Sequence, residues 1–330
     1  LVAEFSHQPL AIFLTSVLAI IPLAGLIGQA TDQLAMRVGP RLGGLLNATF
    51  GNLTELIVGV FLVAAGDFEI VKATLIGSII GNLLLVLGIS FLVGGIGRDE
   101  QQFNTRAVGI HVASLVLAVG GIGIPAVANV GAHLSSVHAE ITSLGVAGTL
   151  ILLYLAALVF MQFSHVHLFG TAGPDGRAEW STRLALTVLL GAALLVGLES
   201  ELLVSSLHPA LKALHLSPFF VGLILIPIIG NAAEHSSAVF FALRDRLDIT
   251  LEIAVGSSSQ VALFVAPMLV FISLIVGRPM DFFFTSFEVG AVAIATVIVS
   301  LLSRDGRSNW LEGLQLIGVY AVIGFAAFFL

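Results

Sequence analysis

Residues 51–59 read GNLTELIVG. Glu55 stands at the head of a run that otherwise has the character of hydrocarbon, since Leu56, Ile57, Val58, Gly59, Val60, Phe61, Leu62 and Val63 follow it. A carboxylate at bilayer depth costs about 3 kcal/mol on insertion scales, so it needs a compensating partner. Asn52 lies three residues earlier and shares a helix face with it.

Composition identifies the surroundings as membrane. The chain has 330 residues, 58% hydrophobic and 10% charged, with a mean hydropathy of +1.08. Soluble domains carry about 25% charged residues. Apolar stretches of about 20 residues recur along the whole length, each sufficient to cross a hydrocarbon core. The fold class is therefore all-α polytopic membrane protein. The net charge of -7 is spread thinly, which argues against nucleic acid as a partner. With no cysteine, disulfides and thiolate metal sites are excluded.

Ten candidate spans run over 10–36, 43–65, 68–96, 104–124, 140–163, 182–207, 216–243, 246–276, 282–303 and 309–330. Loops after odd-numbered spans hold Arg37, Arg41, Arg98, Arg106, Arg177, Arg183, Arg244, Arg246, Arg304 and Arg307. Loops after even-numbered spans hold only Lys72, Lys212 and Arg278. The odd loops are expected on the cytoplasmic side, with both ends of the chain outside. The chain begins with Leu1 and shows no signal peptide, so one further helix upstream is expected.

The chain also repeats itself. GNLTEL at 51–56 has a partner, GNAAEH at 230–235, and GSIIGN at 77–82 has a partner, GSSSQV at 256–261. Both pairs are 179 residues apart, as are Glu69 and Asp248, and Gly43 and Gly222. Two polar motifs keeping one spacing argue against coincidence. The expected organisation is a first repeat of five helices over 1–163, a polar linker over 164–181 and a second repeat of five helices over 182–330. Pro174-Asp175-Gly176 marks a turn within the linker. An odd number of spans per half inserts the second half from the opposite side. Inverted repeats of this kind mark secondary transporters with a midplane site.

In each half Gly-Asn-x-x-Glu falls inside a span. Gly51 and Gly230 weaken the helix there and free backbone carbonyls, and Pro227 loosens the second one further. Asn52 and Asn231 precede Glu55 and Glu234, and the following span of each half adds Ser78 with Asn82, or Ser257 with Gln260. Carboxylates, amides and carbonyls form an all-oxygen set suited to a hard divalent cation, calcium above all. A packing ion pair is the plainer reading of Glu55 and Glu234, but no Lys or Arg lies in the middle of any span. Asn82 and Gln260 could instead serve as interhelical glue, the lesser reading, and Ser78 and Ser257 as small residues at close helix contacts. His235 is open between proton handling and packing.

GNLTEL, GNAAEHSSAV, the GS motifs, FSHVHLF, FEVGAV and SRDGRSNWLEG at 303–313 together resemble the calcium/proton exchanger branch of the calcium/cation antiporter superfamily. The resemblance covers nearly the whole chain, and the His after the second Glu favours this branch over sodium/calcium exchangers. It implies that Glu55 and Glu234 carry cation and protons, supported by Gly51, Gly230, Asn52, Asn231, Asn82 and Gln260, with His235 nearby. It also implies eleven helices, one of them preceding the ten seen here. Gln260 lies 26 residues after Glu234, whereas Asn82 lies 27 after Glu55, so strict symmetry fails at this pair.

The expected activity is export of Ca2+ from the cytoplasm in exchange for H+, with no catalysis and no cofactor. Removal from water favours a protonated carboxyl, a bound dication favours the charged form, and the two compete for the same oxygens. Spans one and six are expected to slide past a fixed core. Asp32, Glu199, Glu201, Glu252 and Glu288 are candidates for cation access or pH sensing, with a solvated helix end the stronger reading. Asp305, Asn309 and Glu312 are expected to cap a helix, and His165 and His167 to lie at the surface. Partners are Ca2+, protons and the lipid bilayer, with a homo-oligomer left open. The expected location is a prokaryotic plasma membrane ahead of a vacuolar one. The rivals are a sodium/calcium exchanger of the same fold, a channel, and an intramembrane metalloprotease, for which the second histidine is missing.

Overall fold

The computed structural model describes residues 8–132, 135–165 and 178–330. Most of the expected linker, with its Pro-Asp-Gly turn, Arg177 and His167, lies outside the described residues.

The first half comprises α1 (Pro9–Val38), α2 (Pro40–Phe50), α3 (Leu53–Ala65), α4 (Phe68–Gly95), α5 (Thr105–Ala132) and α6 (Ser136–Val159). The second comprises α7 (Thr182–Leu214), α8 (Pro218–Gly230), α9 (Ala232–Leu243), α10 (Leu247–Ile275), α11 (Ser286–Leu302) and α12 (Trp310–Phe328). A two-stranded antiparallel ribbon pairs β1 (Gln101–Gln102) with β2 (Arg307–Ser308).

Among the described residues, eight spans are long and apolar enough to cross a membrane, α2 and α3 counting together as one over Leu42–Ala65, and nine when α8 and α9, bent by 62° at their junction, also count as one. The ninth expected span, 282–303, is shorter as a helix: α11 has 17 residues. Pro279 cannot continue a helix, and residues 278–285 form neither helix nor sheet. Met280, Phe282 and Phe284 are buried in alternation there, the period of an extended strand.

Burial sorts the spans into layers. In α4 78% of the most apolar window is buried and in α10 61%, against 22–28% in α1, α5, α6, α7 and α12. The two helices carrying Ser78 with Asn82 and Ser257 with Gln260 thus form the centre, and the others turn much of their apolar surface outward, where lipid replaces a protein core. At Gly77 a side chain would strike the Leu223 carbonyl oxygen and Pro227, and at Gly222 it would meet Ala73 and the Ile70 carbonyl. Those two glycines let α4 and α8 cross at backbone contact.

The repeat read from the sequence recurs in the backbone. Asn52 (φ -98°, ψ 24°) and Asn231 (φ -96°, ψ 9°) leave helical geometry in the same way. Gly66 (φ 85°) and Asp245 (φ 60°) both turn left-handed at the ends of α3 and α9. The amides of Asp67 and Arg246 then bond back to the carbonyls of Leu62 and Phe241, each at 3.0 Å. A π turn interrupts α4 at Gly81–Val86 and α10 at Val261–Val265, a distortion that often accompanies function.

Candidate cation site

Both motif helices break at their asparagine. Glu55 falls in the first turn of α3 and Glu234 in the first turn of α9, where unpaired amides and the helix dipole favour negative charge. The Pro227 carbonyl accepts from both the backbone and side-chain nitrogens of Asn231, each at 3.0 Å.

The partners of these residues come from the opposite half. Ser257 Oγ donates to Asn52 Oδ1 at 3.2 Å, and Asn231 Nδ2 donates to Ser78 Oγ at 3.2 Å. Each motif asparagine is thus tied to the serine of the other repeat. Glu234 crosses as well: its Oε1 lies 3.9 Å from where a Cβ on Gly51 would project.

Gln260 and Asn82 depart from this symmetry in a definite way. Asn52 Nδ2 donates to Gln260 Oε1 at 2.6 Å. Asn82 Nδ2 donates to Ser257 Oγ at 3.2 Å, and its Oδ1 lies 3.0 Å from His235 Nε2. Gln260 sits one residue before the position equivalent to Asn82, and its extra methylene helps it reach across. Asn52, Asn82, Asn231, Ser78, Ser257 and Glu55 are all buried, while Gln260, Glu234, His235, Gly51 and Gly230 are partly buried.

Three oxygens in this cluster are buried without a hydrogen-bond donor: Glu55 Oε2, Glu234 Oε2 and Asn231 Oδ1. Buried acceptors are rarely left unpaired. Here they converge from both halves and suit a hard cation or protons. Among the described residues no three His, Asp or Glu side chains converge as a metal centre. A dication seated here therefore needs amide, hydroxyl or backbone oxygens beside the two carboxylates.

His111 was not among the expected site residues. Its ring lies against Gly256, and its carbonyl accepts from Ser259 Oγ at 3.0 Å. A histidine inside the apolar α5 was the available signal.

The other acidic candidates divide. Glu288 is 2% exposed, so the expected solvated helix end is corrected: it closes a capping box with Thr285, Oε2 accepting from the backbone amide at 2.7 Å. Asn309 and Glu312 form a second capping box at the start of α12. Asp305 Oδ1 accepts from the Arg307 amide at 3.1 Å. Asp32 accepts from Asn47 at 3.3 Å, one turn before Gly51. Glu201 and Glu252 are exposed and Glu199 is partly buried. His165 stacks on Phe160 with ring centroids 3.9 Å apart.

This geometry accords with the comparisons. Residues 8–169 and 184–329 match the sodium/calcium exchanger protein family. The chain belongs to that family. A Ca(2+)/H(+) antiporter of Aphanothece halophytica is 44% identical over 336 residues, covering 97% of this chain and 90% of the relative. The Ca(2+)/H(+) antiporter ChaA of Bacillus subtilis (strain 168) is 39% identical, covering 100% of this chain and 95% of the relative. Among solved structures, native YfkE superposes with a TM-score of 0.87 at 37% identity, covering 99% of this chain and 95% of its own. The match leaves out only residues 170–183 within its range.

Proposed function

We propose that this family member exports Ca2+ from the cytoplasm in exchange for H+ by alternating access. The carrying observation is the pair Glu55 and Glu234, each with a buried, unpartnered Oε2 in one cluster built from both halves. A dication needs both carboxylates charged, whereas protons neutralise them. One site then serves two substrates in competition, and turnover only when loaded couples their flows. Asn52, Asn231, Asn82, Gln260, Ser78 and Ser257 hold the carboxylates and supply neutral oxygens, Gly51 and Gly230 open the backbone, and His235 orients Asn82. The names of the two relatives pair calcium with protons and support this reading over sodium exchange.

The repeats span 1–163 and 182–330, inverted about the midplane, with the odd-numbered loops cytoplasmic and the protein in a prokaryotic plasma membrane. The moving parts are α1 and α7. They pack along each other and against the glutamate helices α9 and α3. A Cβ on Gly25 of α1 would lie 4.0 Å from Ala233, and one on Gly197 of α7 would lie 3.7 Å from Phe61. Small residues at both contacts permit sliding without interlocked side chains.

Proteoliposomes with an imposed pH gradient test the activity. Calcium uptake should follow the gradient with and without sodium; uptake that needs sodium and ignores the gradient would overturn the proton reading.

A further inference from the structure

A third repeated motif emerges once the loops are placed. Gly97-Arg98-Asp99-Glu100-Gln101 and Gly277-Arg278-Pro279-Met280-Asp281 lie 180 residues apart. Both glycines are left-handed, with φ of 79° and 76°, though the turns differ: the Arg98 amide bonds back to the Gly95 carbonyl and the Arg278 amide to the Ser273 carbonyl.

Each loop reaches across to the other half. Arg98 Nη2 donates to the Leu243 carbonyl at 3.2 Å, and its Nη1 to the Gly94 carbonyl of its own helix end. Gln101 Nε2 donates to the Ala242 carbonyl at 3.1 Å and to Asp245 Oδ1 at 2.8 Å. These are the last carbonyls of α9 and the turn behind it. In the mirror position Arg278 Nη1 donates to the Ala65 carbonyl, the last of α3, at 2.8 Å. Asp281 accepts from Lys72 Nζ, just beyond the next turn, at 2.6 Å.

The helices so held are the two that carry the glutamates. Glu55 is in the first turn of α3 and Arg278 binds its last residue; Glu234 is in the first turn of α9 and Arg98 binds its last residue. A guanidinium at a helix C-terminus satisfies orphan carbonyls and meets the negative end of the dipole. Each helix is a rod of 12 or 13 residues, about 20 Å long. A restraint on its far end therefore fixes the direction in which its first turn points. Gly66 fits this role twice over: its φ of 85° is left-handed, and a Cβ there would lie 2.6 Å from Arg278 Nη1. The same contact accounts for an arginine on the expected outer side, where basic residues are few.

We infer that Arg98 and Arg278 are mirror-related positioning residues that set the pose of the two carboxylate-bearing helices, each from the opposite repeat and the opposite face of the membrane. The inference rests on Glu55 and Glu234 being the cation carriers.

The test uses the full chain in proteoliposomes, with calcium KM and maximal rate measured separately. Arg98→Gln and Arg278→Gln should each raise KM about two- to fivefold, the range of a helix-end charge contact, with little change in maximal rate per folded molecule. The double variant should show roughly the product of the two effects. Arg→Lys should recover part of each, since an ammonium still meets the helix end without the fork of the guanidinium. Unchanged KM in both glutamine variants, or a loss of maximal rate alone that tracks loss of folded protein in a thermal melt, overturns the inference. Glu55→Gln in the same assay separates the two levels. Retained transport there removes the carriers themselves, whereas abolished transport there with unchanged KM in the arginine variants removes only the staples.

Discussion

The side-chain amide of Asn52 donates to Gln260 Oε1 at 2.6 Å, joining two residues 208 positions apart. Asn52 also accepts from Ser257, so both amide atoms of a residue at the broken helix are committed to the second repeat. With both ends held, its rotamer is locked beside Glu55.

Removing that lock should weaken binding. Gln260→Ala leaves Asn52 Nδ2 without its partner, and an unsatisfied buried donor costs about 1–3 kcal/mol. Calcium KM in proteoliposomes should rise about tenfold. Gln260→Asn, one methylene shorter, should restore little of it.

Glu55→Gln and Glu234→Gln keep shape but stay neutral and neither bind nor release a proton. Both should abolish exchange while leaving the melting temperature in detergent near that of the parent. Persistent transport in either would remove that residue from the mechanism.

Competition fixes the sign of the pH effect. Protons neutralise the two carboxylates and the dication requires them charged, so equal acidification of both sides should raise calcium KM. A KM that stays level from alkaline to mildly acidic pH would separate proton and calcium sites.

Close approach of α4 and α8 makes Gly77 intolerant of a side chain. Gly77→Ala drives a methyl into the Leu223 carbonyl and Pro227, and overpacking of this kind costs about 1–3 kcal/mol. Gly191→Ala, where a Cβ meets nothing within 4 Å, should leave the melt unchanged or slightly raised.

Asn309 tests whether the SRDGRSNWLEG motif is structural. Its side chain accepts from the Leu311 and Glu312 amides at 3.0 and 3.2 Å. Asn309→Ala should cost about 1 kcal/mol of stability, read as a lower melting temperature with calcium KM unchanged.

Much of this was legible before any coordinates. Glu55 could be singled out because a carboxylate stands out against its apolar neighbours, and Glu234 because it recurs at the same spacing. Asn52, Asn231, Ser78, Ser257, Asn82, Gln260 and His235 followed from the same two motifs, and all of them meet in one cluster. Glu288 reads as a solvated helix end because nothing in the local sequence shows that the helix start it caps with Thr285 is buried. His111 was missed because nothing in α5 announces which helix it faces. Arg98 and Arg278 had registered only as loop charges.

The sequence by itself determined the membrane class, the repeat and the pair of carboxylates, since composition, period and spacing are properties of the chain read in one dimension. Only the tertiary structure decided that Asn52 binds Ser257 and Asn231 binds Ser78, each across the repeats, and that each half clamps the other's glutamate helix. Those partners stand about half the chain apart. Which side chains meet depends on how α4 and α10 are rotated at the centre of the bundle, and no local pattern encodes that rotation.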